Sequence, residues 1–425
     1  MGRGRRPTGV QSYRMPTVGV LAFCAGTCLA APAAASSPDA MNETRLAHSS
    51  NVFGFDLYGR LRPRPGNLVF SPASITTALV MTWAGARGAT AAEMKAVLRL
   101  DGEPGAVLPA AGRLSARLQD PSRPILFRIA NRLYTEKTAV LEPAFVSATK
   151  SAFGAGLEPV DFRGAPERAR GAINGWVEQQ TEKRILDLIP PGGVTNQTRL
   201  ALVNALYFLG DWDEPFDTKA TRPAPFHLSA AQQRDVPTMH RTHTLRVAQG
   251  KGHKAISLPY KGAQLSMLVV MPEAVDGLGA LESSLTADGL DAIVKALAPR
   301  EVALALPKLE VNPAASTPLA DLLKAAGMAS AFDPAKADFL AMANPKDPRD
   351  RLYVGNVFHK AFVKVDEKGT EAAAATSVQM LRVGSMMAPR PPEPFLVDRP
   401  FLFFIRDEAT GLVIFMGRVQ DPTTR

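Results

Sequence analysis

The sequence contains very little cysteine. Its 425 residues include two, Cys24 and Cys28, and both lie near the start of the chain. A disulfide framework and a catalytic thiol are therefore excluded for everything that follows residue 28. Stability must come from a packed core, for which a chain of this length with 46% hydrophobic residues has enough material.

The sequence also lacks the short motifs of common catalytic sites. It contains no Gly-x-Ser-x-Gly elbow, no phosphate-binding glycine loop and no His-Glu-x-x-His helix. The pair His240 and His243 comes nearest to metal-ligand spacing, and polar positions on strand edges or loops are its favoured interpretation. We therefore expect no enzyme activity, no metal and no cofactor.

A basic leader without acids opens the chain. Four arginines lie in residues 1–14, an apolar stretch runs from Val18 to Ala31, and three alanines follow at Ala33–Ala35. This pattern predicts a signal peptide over residues 1–35 and a polar lead-in over 36–44. The protein would be exported, to the extracellular space or a periplasm. A membrane anchor is the disfavoured alternative, because the apolar stretch is short.

The remaining charge is modest. Removing residues 1–35 would lower the formal net charge by four, from +9 to +5. A charge of this size on so long a chain gives no case for a nucleic-acid partner. No later apolar run reaches the length of a membrane span. We expect no membrane partner once the leader is removed.

Helical patterns dominate the first half of the chain and strand patterns the second, which predicts one α+β domain over residues 45–425 around a large mixed sheet. Ser71-Pro72 and Pro143 mark helix starts. The apolar run Leu200–Leu209, interrupted by Asn204, predicts a buried central strand. Phe401–Ile405 and Leu412–Val419 predict a hairpin.

Three further local expectations concern helix boundaries. Thr90–Glu93 has the spacing of a capping box and predicts the start of a helix. The segment Pro104–Pro124 is rich in glycine and proline and predicts an irregular surface excursion. Thr317-Pro318 predicts the start of a helix that stops at Gly327.

The stretch Glu367–Thr376 has two conflicting interpretations. Its four alanines favour a helix, but the segment is too short to hold one unaided. With a period of two, one face carries small uncharged residues that could lie within a sheet without burying a charge. That face comprises Thr370, Ala372, Ala374, Thr376 and Val378. A surface linker is the competing interpretation.

Several segments, in the correct order, resemble the serpin family of serine protease inhibitors. They are Asn67–Ile75, Gly85–Met94, Asn204–Phe208 with Trp212, Leu306–Leu309, Val357–Ala361, Glu367–Thr376, Asp398–Ile405 and Ile414–Val419. The resemblance implies a serpin fold with helices, a large mixed sheet, smaller sheets and a mobile reactive loop at about residues 367–399. It also implies a monomer that forms a 1:1 covalent complex with a serine protease, as a suicide substrate.

The resemblance assigns roles to particular residues. The reactive bond would be Val383–Gly384, fifteen positions from Gly369, which suits elastase-like proteases; Arg382–Val383 would suit trypsin-like ones, and Met386 and Met387 are further candidates. The hinge would comprise Glu367, Gly369, Thr370, Glu371, Ala372, Ala373, Ala374, Ala375 and Thr376. A sheet-opening cluster would comprise Ser71, Ser74, Asn204 and His359. A hinge anchor would comprise Trp212, Lys308 and Glu367, with an ion pair between the last two.

A non-inhibitory serpin is the alternative function. Such a protein would act as a binding, carrier or chaperone-like protein. The family's non-inhibitory members usually have bulky or charged residues at the inward hinge positions, whereas Thr370 and Ala372 are small and uncharged. The inhibitory function is therefore preferred.

Overall fold

The computed structural model describes residues 42–154, 157–370 and 391–424. The helices of these residues are α1 (Glu43–Leu61), α2 (Pro72–Trp83), α3 (Gly88–Val97), α4 (Pro104–Leu118), α5 (Pro143–Phe153), α6 (Pro166–Gln180), α7 (Leu278–Ser284), α8 (Ala287–Ala296) and α9 (Ala320–Ala325). None of the helices within the described ranges is long and apolar enough to cross a membrane.

Strands of the first half are β1 (Leu68–Phe70), β2 (Ile125–Glu136), β3 (Leu157–Val160), β4 (Leu200–Asp211), β5 (Arg222–Ser229) and β6 (Gln232–Gly250). Those that follow are β7 (His253–Pro259), β8 (Leu265–Pro272), β9 (Ala298–Pro307), β10 (Leu309–Val311), β11 (Thr317–Pro318), β12 (Val354–Val365), β13 (Gly369–Thr370), β14 (Glu393–Leu396), β15 (Phe401–Asp407) and β16 (Val413–Val419).

These strands form two sheets. The main sheet has the order β10–β12–β13–β4–β2–β3, with β11 also paired to β12, and it is mixed because β12 and β4 are parallel. The second sheet has the order β1–β16–β15–β8–β7–β6–β9–β14, with β5 paired to β6. The α+β fold with a large mixed sheet is therefore confirmed, and so is the hairpin of β15 and β16.

Strand β4 is buried on both faces, which explains its nearly continuous apolar sequence. Leu206 and Phe208 belong to the large core between the sheets and the helices. Val203 and Tyr207 point to the opposite face and join a second apolar cluster, which includes side chains of α6 and Phe362 of β12. A strand covered on both sides needs apolar residues at every position, so the polar Asn204 requires a partner.

Helix α2 begins where the sequence predicts. The Ser71 side chain accepts a hydrogen bond from the Ser74 amide at 3.1 Å, and Pro72 occupies the first turn, where its missing N–H leaves no bond unmade. The helix packs on β2 and β4. Its first turn thereby brings two serines against the middle of the main sheet.

The prediction of an irregular excursion at Pro104–Pro124 is wrong, because most of this segment is helix α4. The high glycine and proline content obscured the helical spacing of its apolar residues. Those on the buried face include Val107, Leu108, Ala111, Leu114 and Leu118. Pro109 lies inside the helix, where proline costs about 3 kcal/mol. Burial of five apolar side chains at ~1–3 kcal/mol each outweighs that cost.

Two other helix starts differ from the prediction. Helix α3 begins at Gly88, and Thr90 and Glu93 serve tertiary contacts: the Thr90 hydroxyl accepts a bond from the Asp338 amide, and Glu93 accepts from the amide and hydroxyl of Ser330. Thr317–Pro318 pairs with β12 as strand β11, and the helix follows at Ala320. In both cases a tertiary contact overrides a local pattern.

Candidate functional site

The centre of the main sheet is a seam between two parallel strands. Strands β4 and β12 pair directly from Val354↔Leu200 to Phe362↔Tyr207, and His359 lies opposite Asn204. We call this boundary the β4–β12 seam. Strands β4 and β12 are far apart in the sequence. Their pairing is therefore a product of the tertiary fold.

The predicted sheet-opening cluster comes together across the β4–β12 seam. The Ser71 amide donates to His359 Nε2 at 3.1 Å, and His359 Nδ1 contacts Asn204 Oδ1. Asn204 Nδ2 donates to the Ser74 hydroxyl at 2.6 Å. These four residues are all buried, so the hydrogen bonds satisfy groups that have no access to solvent.

Asn131 of β2 is a fifth member that the sequence analysis missed. Its Oδ1 accepts hydrogen bonds from the Ser74 hydroxyl at 2.8 Å and from Asn204 Nδ2 at 2.7 Å. Asn131 lies directly opposite Asn204 in the β2–β4 pairing. The sequence does show an amide side chain in the middle of a strand, which indicates that this side chain needs a hydrogen-bond partner. Which residue is that partner follows only from the strand register.

His359 is completely buried, and its two ring nitrogens have different partners. Because Nε2 accepts the bond from the Ser71 amide, the ring proton sits on Nδ1 and is donated to Asn204. Burial lowers the pKa of His359 from its ordinary value to about 3, against a hydrogen bond with Asn204 that acts in the opposite direction. The ring is therefore neutral at physiological pH.

The first residues of the hinge lie inside the main sheet. Gly369 and Thr370 form β13, which is antiparallel to β12 on one side and to β4 on the other. Thr370 is completely buried, and a Cβ atom at Gly369 would overlap the carbonyl oxygen of Gly210. Only glycine fits at this close approach of two backbones.

Trp212 fixes the turn that leads into β13. Its indole N–H donates to the Asp366 carbonyl at 3.0 Å, and its amide donates to the Lys368 carbonyl at 2.8 Å. The indole ring stacks on Tyr260 with a centroid distance of 4.7 Å. The turn is thus held by backbone acceptors, which do not depend on the identity of its side chains.

The ion pair predicted between Lys308 and Glu367 is present. Lys308 Nζ lies 2.8 Å from Glu367 Oε2, and the Thr221 hydroxyl donates to Oε1 at 2.8 Å. Burial raises the pKa of Glu367, but the bonds from Lys308 and Thr221 outweigh it and hold the pKa below its ordinary value. The carboxylate is therefore ionised when it anchors the turn.

The remaining predicted site residues lie outside the described residues. They are the hinge residues Glu371, Ala372, Ala373, Ala374, Ala375 and Thr376, and the reactive-bond candidates Arg382, Val383, Gly384, Met386 and Met387. Both ends of the range predicted as loop differ from the prediction. Gly369–Thr370 is strand at one end, and Glu393–Leu396 at the other end pairs in parallel with β9.

The two histidines with metal-like spacing have separate environments. His243 Nδ1 lies 2.9 Å from a Glu214 carboxylate oxygen, and His240 is half-buried on β6. Within the described ranges, the group of side chains close enough to share an ion is His48, Asp288 and Asp291, mainly exposed on α1 and α8. Exposed groups of this kind are not evidence of a metal site by themselves.

Known proteins are similar to this chain in sequence and in fold. A family model described as Serpin (serine protease inhibitor) matches residues 48–422. The leukocyte elastase inhibitor of Equus caballus is 36% identical over 391 residues, which cover 89% of this chain and 100% of that protein. Serpin48 of Tenebrio molitor has a TM-score of 0.78 at 30% identity, covering 90% of this chain and 99% of that one. Uncleaved ovalbumin has a TM-score of 0.79 at 29% identity, with coverages of 89% and 100%.

The fold combines helices with a large mixed sheet, in which the short strand β13 lies between two parallel strands, and a second sheet. The family match extends over nearly all of the described chain. The chain belongs to the serpin family. This membership supports protease inhibition as its general activity and a protease as its partner.

The neutral state of His359 predicts a pH-dependent stability. The pKa of His359 is lowered in the native state, so the unfolded chain binds a proton below pH 6.5 that the native ring accepts only near pH 3. Native stability should therefore be unaffected by this group above pH 6.5 and fall below it, by at most ~1.4 kcal/mol per pH unit. Thermal unfolding midpoints measured at several pH values between about 4.5 and 7.5 test this.

The variant His359→Gln distinguishes the contribution of His359 to the pH dependence of stability from that of all other titratable groups. It should unfold at a lower temperature than the wild type at neutral pH, because the cluster loses hydrogen bonds worth ~1–3 kcal/mol. Its further decline on acidification should be smaller than that of the wild type. His227→Gln, in the second sheet, is the control and should follow the wild-type pH profile. An equal acid decline in His359→Gln would contradict the assignment.

Proposed function

We propose that this chain inhibits a serine protease by acting as a suicide substrate. The observation that carries the proposal is the position of β13. Strands β12 and β4 are parallel to each other, and β13 is antiparallel to both. A strand that continued from Thr370 along the β4–β12 seam would find an antiparallel partner on each side, which is the more stable pairing.

Insertion of such a strand would have to part the β4–β12 seam. The two strands now pair directly, at a spacing of about 4.8 Å, and an inserted strand would double that spacing to about 9.6 Å. His359 and Asn204 contact each other across the seam. In the proposed mechanism these two residues, with Ser71 and Ser74, hold the sheet closed until the hinge advances.

The proposed reaction begins at Val383–Gly384. The catalytic serine hydroxyl of the protease attacks the Val383 carbonyl carbon, the bond to the Gly384 nitrogen breaks, and the new amine takes up the serine proton. Val383 remains attached to the protease as an ester. The hinge then inserts into the main sheet and carries the protease along before water hydrolyses that ester.

The proposed insertion is large enough to displace a protease. Fifteen residues from Gly369 to Val383 would span roughly 50 Å as a strand. About ten additional ladder hydrogen bonds at ~1 kcal/mol each would favour the inserted form by an amount on the order of 10 kcal/mol. The form with an uninserted loop would therefore persist because of a kinetic barrier.

The identity of the bait residue determines the target. Val383 fits an elastase-like protease with a small apolar specificity pocket, and the similarity to a leukocyte elastase inhibitor supports this choice. Cleavage one residue earlier, after Arg382, would select a trypsin-like protease instead. In either case a monomer of this chain forms a 1:1 complex with its target.

A covalent complex should therefore form with elastase. Incubation of the two proteins should give a band that survives SDS at the sum of their masses, and mass spectrometry should place the cut after Val383. Trypsin tests the alternative cut after Arg382. Elastase with a chemically blocked active-site serine is the control and should give no adduct, since the ester needs that serine.

The opposite outcome is equally clear. If both proteases cut the loop and release it without any adduct, the chain is a substrate and not an inhibitor. That result would favour a non-inhibitory carrier or chaperone-like function.

Thr370→Arg should convert the inhibitor into a substrate. Thr370 is completely buried in β13, so an arginine there would either bury an unpaired charge or remain outside the sheet. The protease would then hydrolyse the ester before insertion, and the number of inhibitor molecules consumed per inactivated protease should rise by more than tenfold. Thr370→Ser keeps the hydroxyl and should inhibit like the wild type; unchanged inhibition by Thr370→Arg would refute insertion at β13.

Export is part of the proposal and rests on the leader of residues 1–35. Expression in a secreting host should give a mature chain that begins at Ser36, because the small residues Ala33–Ala35 suit the signal-peptide cleavage site. Sequencing of the N-terminus checks this. A secreted or cell-bound product that still contains the apolar stretch from Val18 would contradict the assignment of a cleaved signal.

A further inference from the structure

A pair of buried hydroxyl groups joins the hinge to the rest of the fold. Tyr260 Oη lies 2.7 Å from Thr370 Oγ1, and both residues are completely shielded from solvent. Tyr260 directly follows β7, and Thr370 is the last described residue of the hinge. This contact therefore connects the second sheet to the first rung of the strand that would insert.

The Tyr260 ring is also held by contacts other than its hydroxyl contact with Thr370. It stacks on Trp212 at a centroid distance of 4.7 Å and meets Phe208 edge-on at 4.9 Å. Trp212 and Tyr260 also form an isolated backbone bridge. The phenol hydroxyl is consequently a fixed point, and removing it as Tyr260→Phe would leave the ring contacts in place.

The backbone of residues 366–370, which we call the hinge turn, is enclosed by bonds on both sides. The Asp366 amide donates to the Gly369 carbonyl at 2.9 Å within the turn. The Phe216 amide donates to the Glu367 carbonyl at 2.7 Å, and the Trp212 amide reaches the Lys368 carbonyl. The turn therefore delivers Thr370 to Tyr260 in one orientation.

We propose that Tyr260 is a positioning residue for the inhibitory reaction: its hydroxyl holds Thr370 as the first rung of the inserting strand before any protease binds. This inference rests on the proposed function. Insertion would then continue from Thr370, which is already paired with β12 and β4, and no new strand pairing would have to start at the edge of the sheet. A faster start leaves less time for hydrolysis of the ester, so more encounters end in a trapped protease.

Buried hydrogen bonds give the proposal a specific signature. Removing one hydroxyl leaves the other buried without its partner, which is costly, whereas removing both leaves two apolar groups of similar shape, which is nearly neutral. Tyr260→Phe and Thr370→Val should each weaken the position of the hinge. The double variant should recover much of the loss, a coupling expected when the two hydroxyl groups act through their mutual hydrogen bond.

Hydrogen exchange of the hinge turn is the first measurement. In the protein without protease, exchange of the amides in residues 366–370 should accelerate by roughly 5- to 30-fold in Tyr260→Phe and in Thr370→Val. In the double variant it should return towards the wild-type rate. Gly369→Ala is the positive control for a displaced hinge, because a Cβ atom would overlap the Gly210 carbonyl.

The stoichiometry of inhibition is the second measurement. Each single variant should consume several-fold more inhibitor per inactivated protease than the wild type, and the double variant should approach the wild type. Tyr134→Phe is the control, since it removes a buried tyrosine hydroxyl on β2 of the main sheet, opposite Ala201. That position is nine residues along β4 from Gly210, or roughly 30 Å, and its loss should leave the stoichiometry unchanged.

Two results would overturn the role of Tyr260. One is wild-type exchange of the hinge turn in Tyr260→Phe, and the other is a double variant no better than the worse single variant. The exchange measurement needs no protease. If the wild type forms no covalent complex, the proposed inhibitory function is wrong. Faster hydrogen exchange of the hinge turn in Tyr260→Phe would still show that the Tyr260 hydroxyl keeps Thr370 in position.

Discussion

Two parallel strands at the centre of a mixed sheet are the constraint on which the rest of this structure depends. Strands β4 and β12 pair directly over most of their length, yet at one end β13 lies between them. A parallel pair can accept a strand that is antiparallel to both neighbours without reversing either of them. Gly369 and Thr370 of β13 occupy such a position at one end of the seam.

The packing on both faces of the seam is compatible with this geometry. Phe208 lies in the core on one side of β4, and Tyr207 packs against Phe362 of β12 on the other side. In the proposed mechanism, separation of the strands would leave room for additional side chains between these layers. The sequence after Thr370 supplies small ones, mainly alanine, which would fill such a space without forcing the surrounding core to rearrange.

Sequence patterns predicted the elements whose signals are local. The Ser71-Pro72 start of α2, the Pro143 start of α5 and the hairpin of β15 and β16 follow from capping residues, proline and apolar runs. They failed at α4, where proline and glycine hid a buried apolar face, and at Thr90, whose hydroxyl binds Asp338 far along the chain. A local pattern carries no information about such distant partners.

The residues of the candidate site likewise fall into those that the sequence located and those that it missed. Family motifs located His359, Asn204 and the pair of Lys308 with Glu367, and the structure brings each set together. Asn131 and Tyr260 were missed because their contacts depend on strand register and on the junction of two sheets. Nor could the sequence tell that the hinge already begins inside the sheet, since a small uncharged face suits a loop as well as a strand.

In the proposed mechanism, the polar cluster at the seam would allow a buried boundary to be closed and still to open. An apolar seam would lose its contacts gradually as the strands separate, with nothing to replace them until the gap is filled. The bonds among Ser71, Asn204 and His359 are instead lost over a short displacement. An inserting strand would bring its own N–H and C=O groups to this position, so the freed polar groups would exchange partners and would not remain unsatisfied. Hydrogen bonds, and not packing alone, would thus suit a part of the core that separates in the proposed mechanism.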